Sequence, residues 1–180
     1  MVDYAMATKY KQAAISMKNA NIEFVKPEYF QRIAALGQLD QEQLTAFLSY
    51  VELIHCEPLR LVFKQGAPGD SMFLILEGQV RVYTETSQGR SIFLRPLEAG
   101  ASFGEVALIN HIPRTASVEA VKPSILLSLS SASLQRMIAE QPALAAKILH
   151  HLAGTLGRQL GDLTTRLRSF WDQEGVSDSV

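Results

Sequence analysis

Cysteine is almost missing from this chain: Cys56 is the only one in 180 residues. An intrachain disulfide is thereby excluded, and so is a cysteine-ligated metal cluster. Charge imbalance is missing too. Lysine and arginine number 17 against 18 aspartates and glutamates, for a net charge of −1. No overall field draws the molecule to nucleic acid or to an anionic membrane. Long apolar runs are also lacking. Hydrophobic residues make up 47% of the chain, but none of their runs is long enough to cross a bilayer. Lys9, Lys11, Gln12 and Lys18 interrupt the N-terminal stretch before it can serve as a secretory leader. Histidine is scarce as well, with His55, His111, His150 and His151 its only occurrences. None forms a His-x-His pair on a strand, and adjacent His150 and His151 point about 100° apart on a helix, so no metal site is expected. Nothing has the shape of a nucleophile elbow, and no catalytic residue is expected. A soluble globular protein of the cytoplasm fits these absences.

What is there has a clear order. The chain is long enough for one domain with a proper core. Residues 1–37 read as a helical segment. Met6, Tyr10, Ala13 and Met17 form one apolar stripe, expected to pack on the chain's own domain. Pro27 marks a break, and a second short helix carries Tyr29, Phe30, Ile33 and Leu36 to a stop near Gly37. Asp40, with Gln43 three residues on, looks like the cap of a further helix that buries Leu44, Phe47 and Leu48. From Val51 the period falls to two. Short β-type runs alternate with glycine and proline punctuation at Gly66, Pro68, Gly69, Gly78, Gly89 and Gly100, which argues for an antiparallel sandwich or barrel. Ser131 or Ser133 is expected to cap the next helix, and Pro142 opens a long one running towards Trp171.

Residues 103–120, FGEVALINHIPRTASVEA, hold the chemistry. Gly104 lets the backbone come close to a ligand, because no Cβ stands in the way. Backbone N–H groups at the start of Val106-Ala107-Leu108 would point at an anion. Arg114 is the one full positive charge of the segment, and its planar fork matches two phosphate oxygens at once. Glu105 is repelled by phosphate but accepts from a sugar hydroxyl. Such an acid and base together fit a ribose phosphate. The plainer alternative is a surface ion pair between Arg114 and Glu105, worth under about 1 kcal/mol.

FGEVAL followed by PRTASV resembles the phosphate-binding cassette of the cyclic nucleotide-binding domains. Those domains occur in cAMP-dependent kinase regulatory subunits, cyclic-nucleotide-gated channels and catabolite activator-type bacterial regulators. The upstream run GAPGDSMFLILEGQV is similar to the paired-strand signature of the same family, and the resemblance covers roughly residues 38–165. It implies an α+β fold: an antiparallel β jelly-roll barrel over residues 38–141, helices before it, a long C-terminal helix over 142–171 and a polar tail over 172–180. It also implies that Gly104 and Glu105 engage the ribose 2′-hydroxyl and that Arg114 takes the phosphate. The backbone amides of Ala107 and Ala116 would lie beside that phosphate, with Phe103, Val106 and Thr115 in the same cassette. Gln159 is the residue that would reach the base from the last helix. There Gln159 and Leu160 replace the hydroxyl pair of catabolite activator-type relatives, and the hydroxyl of Thr115 suits either purine. The expected ligand is cAMP, with cGMP as the alternative, and no cofactor or metal is expected.

The last helix carries its own signal. Leu149, Leu156, Leu163 and Phe170 recur every seven residues, and Ala153, Leu160 and Leu167 follow the first three by four. Such a stripe suits a helix that packs along a second copy, so a homodimer is expected. Gly154, Gly157 and Gly161 weaken the helix by roughly 1 kcal/mol each, which suits a helix whose position a ligand can set. No recognition helix fits residues 172–180, and DNA binding is not expected. The expected function is a free-standing cyclic nucleotide sensor that signals through its helices to a separate protein. The alternatives are a structural module of the same fold without a ligand, or a barrel enzyme.

Overall fold

The computed structural model describes Phe30 and residues 32–174. The expected N-terminal helix with its Met6–Met17 stripe, and the last residues of the expected polar tail, lie outside the described residues. Two short helices, α1 (Ala34–Gly37) and α2 (Gln41–Leu48), lead into eight strands. These are β1 (Val51–Cys56), β2 (Leu61–Phe63), β3 (Ser71–Glu77), β4 (Gln79–Glu85), β5 (Ser91–Glu98), β6 (Ser102–Phe103), β7 (Ser117–Ala120) and β8 (Ser124–Ser130). Helix α3 (Glu105–Asn110) sits between β6 and β7, and α4 (Ser131–Glu140) and α5 (Pro142–Glu174) close the order.

The strands form two four-stranded antiparallel sheets, ordered β1-β8-β3-β6 and β2-β7-β4-β5. This is the α+β jelly roll that was expected, built as two facing sheets without a hydrogen-bonded closure between them among the described residues. β3 explains its own sequence. Phe73 and Ile75 point into the core between the sheets, while Met72, Leu74 and Leu76 pack under the helices. A strand buried on both faces has no need to alternate, hence the unbroken run Met-Phe-Leu-Ile-Leu. The helix-side core gathers Phe30, Ile33, Leu36, Leu44, Phe47, Leu134, Met137 and Ile148 against that face. Each such side chain contributes about 1.5–3 kcal/mol on burial.

Helix starts follow from side-chain chemistry. Asp40 and Gln43 form a reciprocal capping box, with the Gln43 N–H donating to Asp40 Oδ1 at 2.8 Å. At α4 the expected cap is corrected: Ser130 accepts from the Ser133 N–H at 3.1 Å, rather than Ser131 or Ser133 capping. Ser130 ends a strand and keeps an extended backbone, so its hydroxyl can reach the third helical amide; Ser131 is already inside the first turn.

Helix α5 runs 33 residues, about 50 Å, and continues three residues past Trp171. It carries two different apolar stripes. Leu144, Ala145, Ile148 and Leu152 are buried against the domain, and Leu149 is packed beside them. Beyond Gln159 no described residue of the helix is buried, and Leu160, Leu163, Leu167, Phe170 and Trp171 are all exposed. The heptad stripe is therefore mostly separate from the stripe that docks the helix. Among the described residues no helix is long and apolar enough to cross a membrane.

Candidate ligand-binding site

Arg114 is fixed before its side chain is considered. Its N–H donates to the Ala67 carbonyl at 2.9 Å and its own carbonyl accepts from the Gly66 N–H at 2.8 Å. These two bonds clamp the residue to the β2–β3 loop. The same loop leaves no room beside it: a Cβ on Gly69 would stand 2.6 Å from Ala107 Cβ and 2.8 Å from Arg114 Nε. Gly104 holds the turn from β6 into α3 at φ +84°, and a Cβ there would meet Arg114 Nη1 at 2.8 Å. Gly69 is required by the close passage of Ala107 and Arg114, and Gly104 by its left-handed backbone beside the same arginine.

Arg114 as a whole is only 6% exposed. Nη1 donates to the Ser71 carbonyl at 2.5 Å and, more weakly, to the Gly104 carbonyl at 3.4 Å, while Nη2 donates to Ser71 Oγ at 2.9 Å. Nε is buried with no hydrogen-bond partner. Phe63 lies under the charge, its ring centroid 4.1 Å from Cζ, and Phe73 stands at 5.7 Å. Burial pushes the Arg114 pKa below its ordinary value, with Asp70 acting against that shift. Among the described residues the guanidinium makes no ion pair. A desolvated cation whose hydrogen bonds all go to neutral acceptors, with only the more distant Asp70 to offset its burial, is a place that an anion would stabilise.

Glu105 opens α3 and is 3% exposed. Ser102 Oγ donates to its Oε1 at 2.5 Å. Glu105 and Arg114 are thus both buried and separately held, which removes the surface ion pair as a reading. Helix geometry leaves the first-turn amides of Glu105, Val106 and Ala107 without intrahelical acceptors. On the facing helix, His151 is half-buried. Burial first, and Arg158 second, lower its pKa, while Glu105 pulls it upward.

These parts surround one cavity of about 100 Å³. The structure brings all of the sequence-predicted residues to its wall: Phe103, Gly104, Glu105, Val106 and Ala107 from the β6–α3 turn, Arg114, Thr115 and Ala116 ahead of β7, and Gln159 from α5. Leu160 goes elsewhere, exposed on the heptad stripe. Four lining residues were not anticipated from sequence: Phe63, Val82, Arg95 and Val118. Nor were the supports Gly69, Ser71 and Ser102, whose loop and strand-end positions read only as turn chemistry. A second cavity of about 260 Å³ adjoins the first, between β5–β6 and α5, and shares Arg95 and Gln159 with it. Among the described residues no three His, Cys, Asp or Glu side chains gather to hold a metal ion.

Comparison with known proteins agrees with this fold. The sequence model for the cyclic nucleotide-binding domain matches residues 53–141. Residues 53–141 belong to the cyclic nucleotide-binding domain family. The Thermus thermophilus cyclic AMP receptor protein is 32% identical over 134 residues, covering 73% of this chain and 60% of that protein. Drosophila melanogaster cGMP-dependent protein kinase, isozyme 1, is 36% identical over 116 residues, covering 62% of this chain and 15% of the kinase. The chain thus spans less than two thirds of either relative. Among solved structures, a cyclic nucleotide-binding domain from Methylobacillus flagellatus superposes with a TM-score of 0.64 at 26% identity, covering 97% of this chain and 88% of that one.

Proposed function

We propose that this chain is a sensor that binds one cyclic nucleotide, without converting it, and reports occupancy through α5 to a separate protein. The phosphate lies against Arg114 and the first-turn amides of α3, with the Ala116 amide beside it, and Glu105 accepts from the ribose hydroxyl. One observation carries the reading: a buried arginine that makes no ion pair among the described residues and has an unpaired Nε, in a cavity that also presents a buried carboxylate. A phosphodiester next to a sugar answers both charges with complementary groups. The fold without a ligand would leave the buried Arg114 charge offset by Asp70 alone and without a hydrogen-bonded anion.

The output rests on α5. It touches the cavity through Gln159 and faces Glu105 through His151, so its seating and the state of the site are physically linked. Its distal stripe of Leu160, Leu163, Leu167 and Phe170 suits the same helix of a second copy, making the sensor a homodimer. The buried thiol of Cys56, whose pKa burial raises, suits a reducing cytoplasm.

Titration calorimetry with cAMP, cGMP and 5′-AMP tests the proposal. Binding of at least one cyclic nucleotide well below millimolar concentration, at one per chain and with 5′-AMP weaker, is expected. Failure of both cyclic nucleotides to bind below millimolar concentration would overturn it.

A further inference from the structure

The described residues begin beside α5. Phe30 is packed in the same core as Ile148 and Leu152. The Arg32 carbonyl lies against Gly100, where a Cβ would stand 2.5 Å from its oxygen. Ala34 shares the wall of the second cavity with Thr155, Arg158 and Asp162 of α5. Residues 1–29 therefore join the domain level with the turns of α5 that line the cavities. Their sequence carries an apolar stripe, Met6, Tyr10, Ala13 and Met17, at spacings of four, three and four. The exposed stripe of α5 has the same period, with Leu160, Leu163, Leu167 and Phe170 at spacings of three, four and three. The two stripes also match in length, each about 16 Å along a helix. Reach is not limiting. Lys18 to Tyr29 spans about 18 Å as a helix and up to about 40 Å extended, while the middle of the exposed stripe is about 10 Å along the axis from Arg158.

Trp171 supplies the reason for a neighbour besides a second copy. With Leu160 and Leu167 at heptad position a, and Leu163 and Phe170 at d, Trp171 falls at e, outside the seam that a two-stranded coiled coil covers. The exposed face is then about 100° wide, the width of a stripe that packs into a core rather than along a single seam. We infer that the stripe of residues 6–17 docks as a helix on the distal half of its own α5, along the flank of Leu160, Leu167 and Trp171. The inference is independent of the nucleotide reading. Docking there removes Leu160, Leu167 and Trp171 from water. It leaves the flank of Leu163 and Phe170 to a second copy, so a homodimer built this way brings four helices together, two from each chain. The competing occupant of the Trp171 flank is α5 of that second copy.

Trp171 is the only tryptophan of the chain, so selectively excited indole fluorescence of the full chain tests the docking. Its emission is expected to lie to the blue of a hydrated indole, and to stay there through a dilution series followed to the monomer. Tyr10→Asp and Met17→Asp each place a charge in the stripe and are expected to shift the emission to the red. Thr8→Asp, on the opposite face of the same helix, is expected to leave it in place. Thermal unfolding followed by circular dichroism separates release of the segment from unfolding of the domain in these variants. Emission of a hydrated indole in the wild-type chain would overturn the inference. So would a blue emission lost on dilution, which assigns Trp171 to the second copy, or one that survives both stripe variants. The titrations with cyclic nucleotides are read separately, so a failure here leaves the binding reading untouched.

Discussion

At the cassette, charge is buried: Arg114 and Glu105 are almost wholly removed from water and are not paired with each other. Along the far half of α5 the opposite holds, with Leu160, Leu163, Leu167 and Phe170 left in water. Each end inverts the ordinary distribution of polar and apolar groups. The cassette has a buried cation hydrogen-bonded only to neutral acceptors, which a small anion would satisfy. The helix has an apolar stripe without a cover, which another helix satisfies. One molecule thus holds two incomplete surfaces of different chemistry, joined by the turns of α5 where Gln159 lines the site, His151 lines the adjoining cavity and Leu152 anchors the helix.

The largest effect that would break this contrast is at Arg114. Arg114→Leu should cost about 2–5 kcal/mol of nucleotide binding, thirtyfold or more in affinity, by calorimetry. The ligand-free melting temperature should hold or rise, since a desolvated cation is replaced by an apolar group. Full affinity in that variant would sink the phosphate assignment. Leu163→Asp probes the other end. It should weaken self-association by at least about tenfold in sedimentation velocity and leave nucleotide affinity unchanged. An unaltered association constant would show that the stripe is not the contact.

Two smaller changes sharpen the comparison, one away from both ends and one between them. Asp40→Ala removes a capping box remote from both and should cost about 1 kcal/mol in denaturant unfolding, with affinity unaltered. His151 gives the smallest effect and ties the ends together. Its folded-state pKa lies below the unfolded value, so the unfolded chain binds more protons as the pH falls. The stability it contributes is complete above the ordinary histidine pKa and is lost as the pH drops through the lowered one. His151→Gln should flatten that part of the ligand-free stability profile; an identical profile would show that His151 is not desolvated in solution.

Much of this was legible in the sequence because the signals were local. The capping box needs only Asp40 and Gln43, the strand period needs neighbours, and the cassette is one continuous segment with its glycine, acid and arginine in order. What was not legible depends on segments distant in sequence. Ser71 holds Arg114 from 43 residues away. Gly69 reads as a turn glycine, although its constraint comes from Ala107 and Arg114. Arg95 looks like any charge on a half-exposed strand until the fold places it in the cavity wall. The heptad stripe was visible, but only the packing shows that another face of α5, through Leu144, Ile148 and Leu152, docks the helix.

Phosphorus NMR of a cyclic nucleotide mixed with excess protein tests the central claim most directly. The account predicts a phosphodiester resonance displaced from its free position by the wild-type chain and returned to it by Arg114→Leu. A resonance displaced equally by both proteins would contradict the assignment of the buried guanidinium to the phosphate.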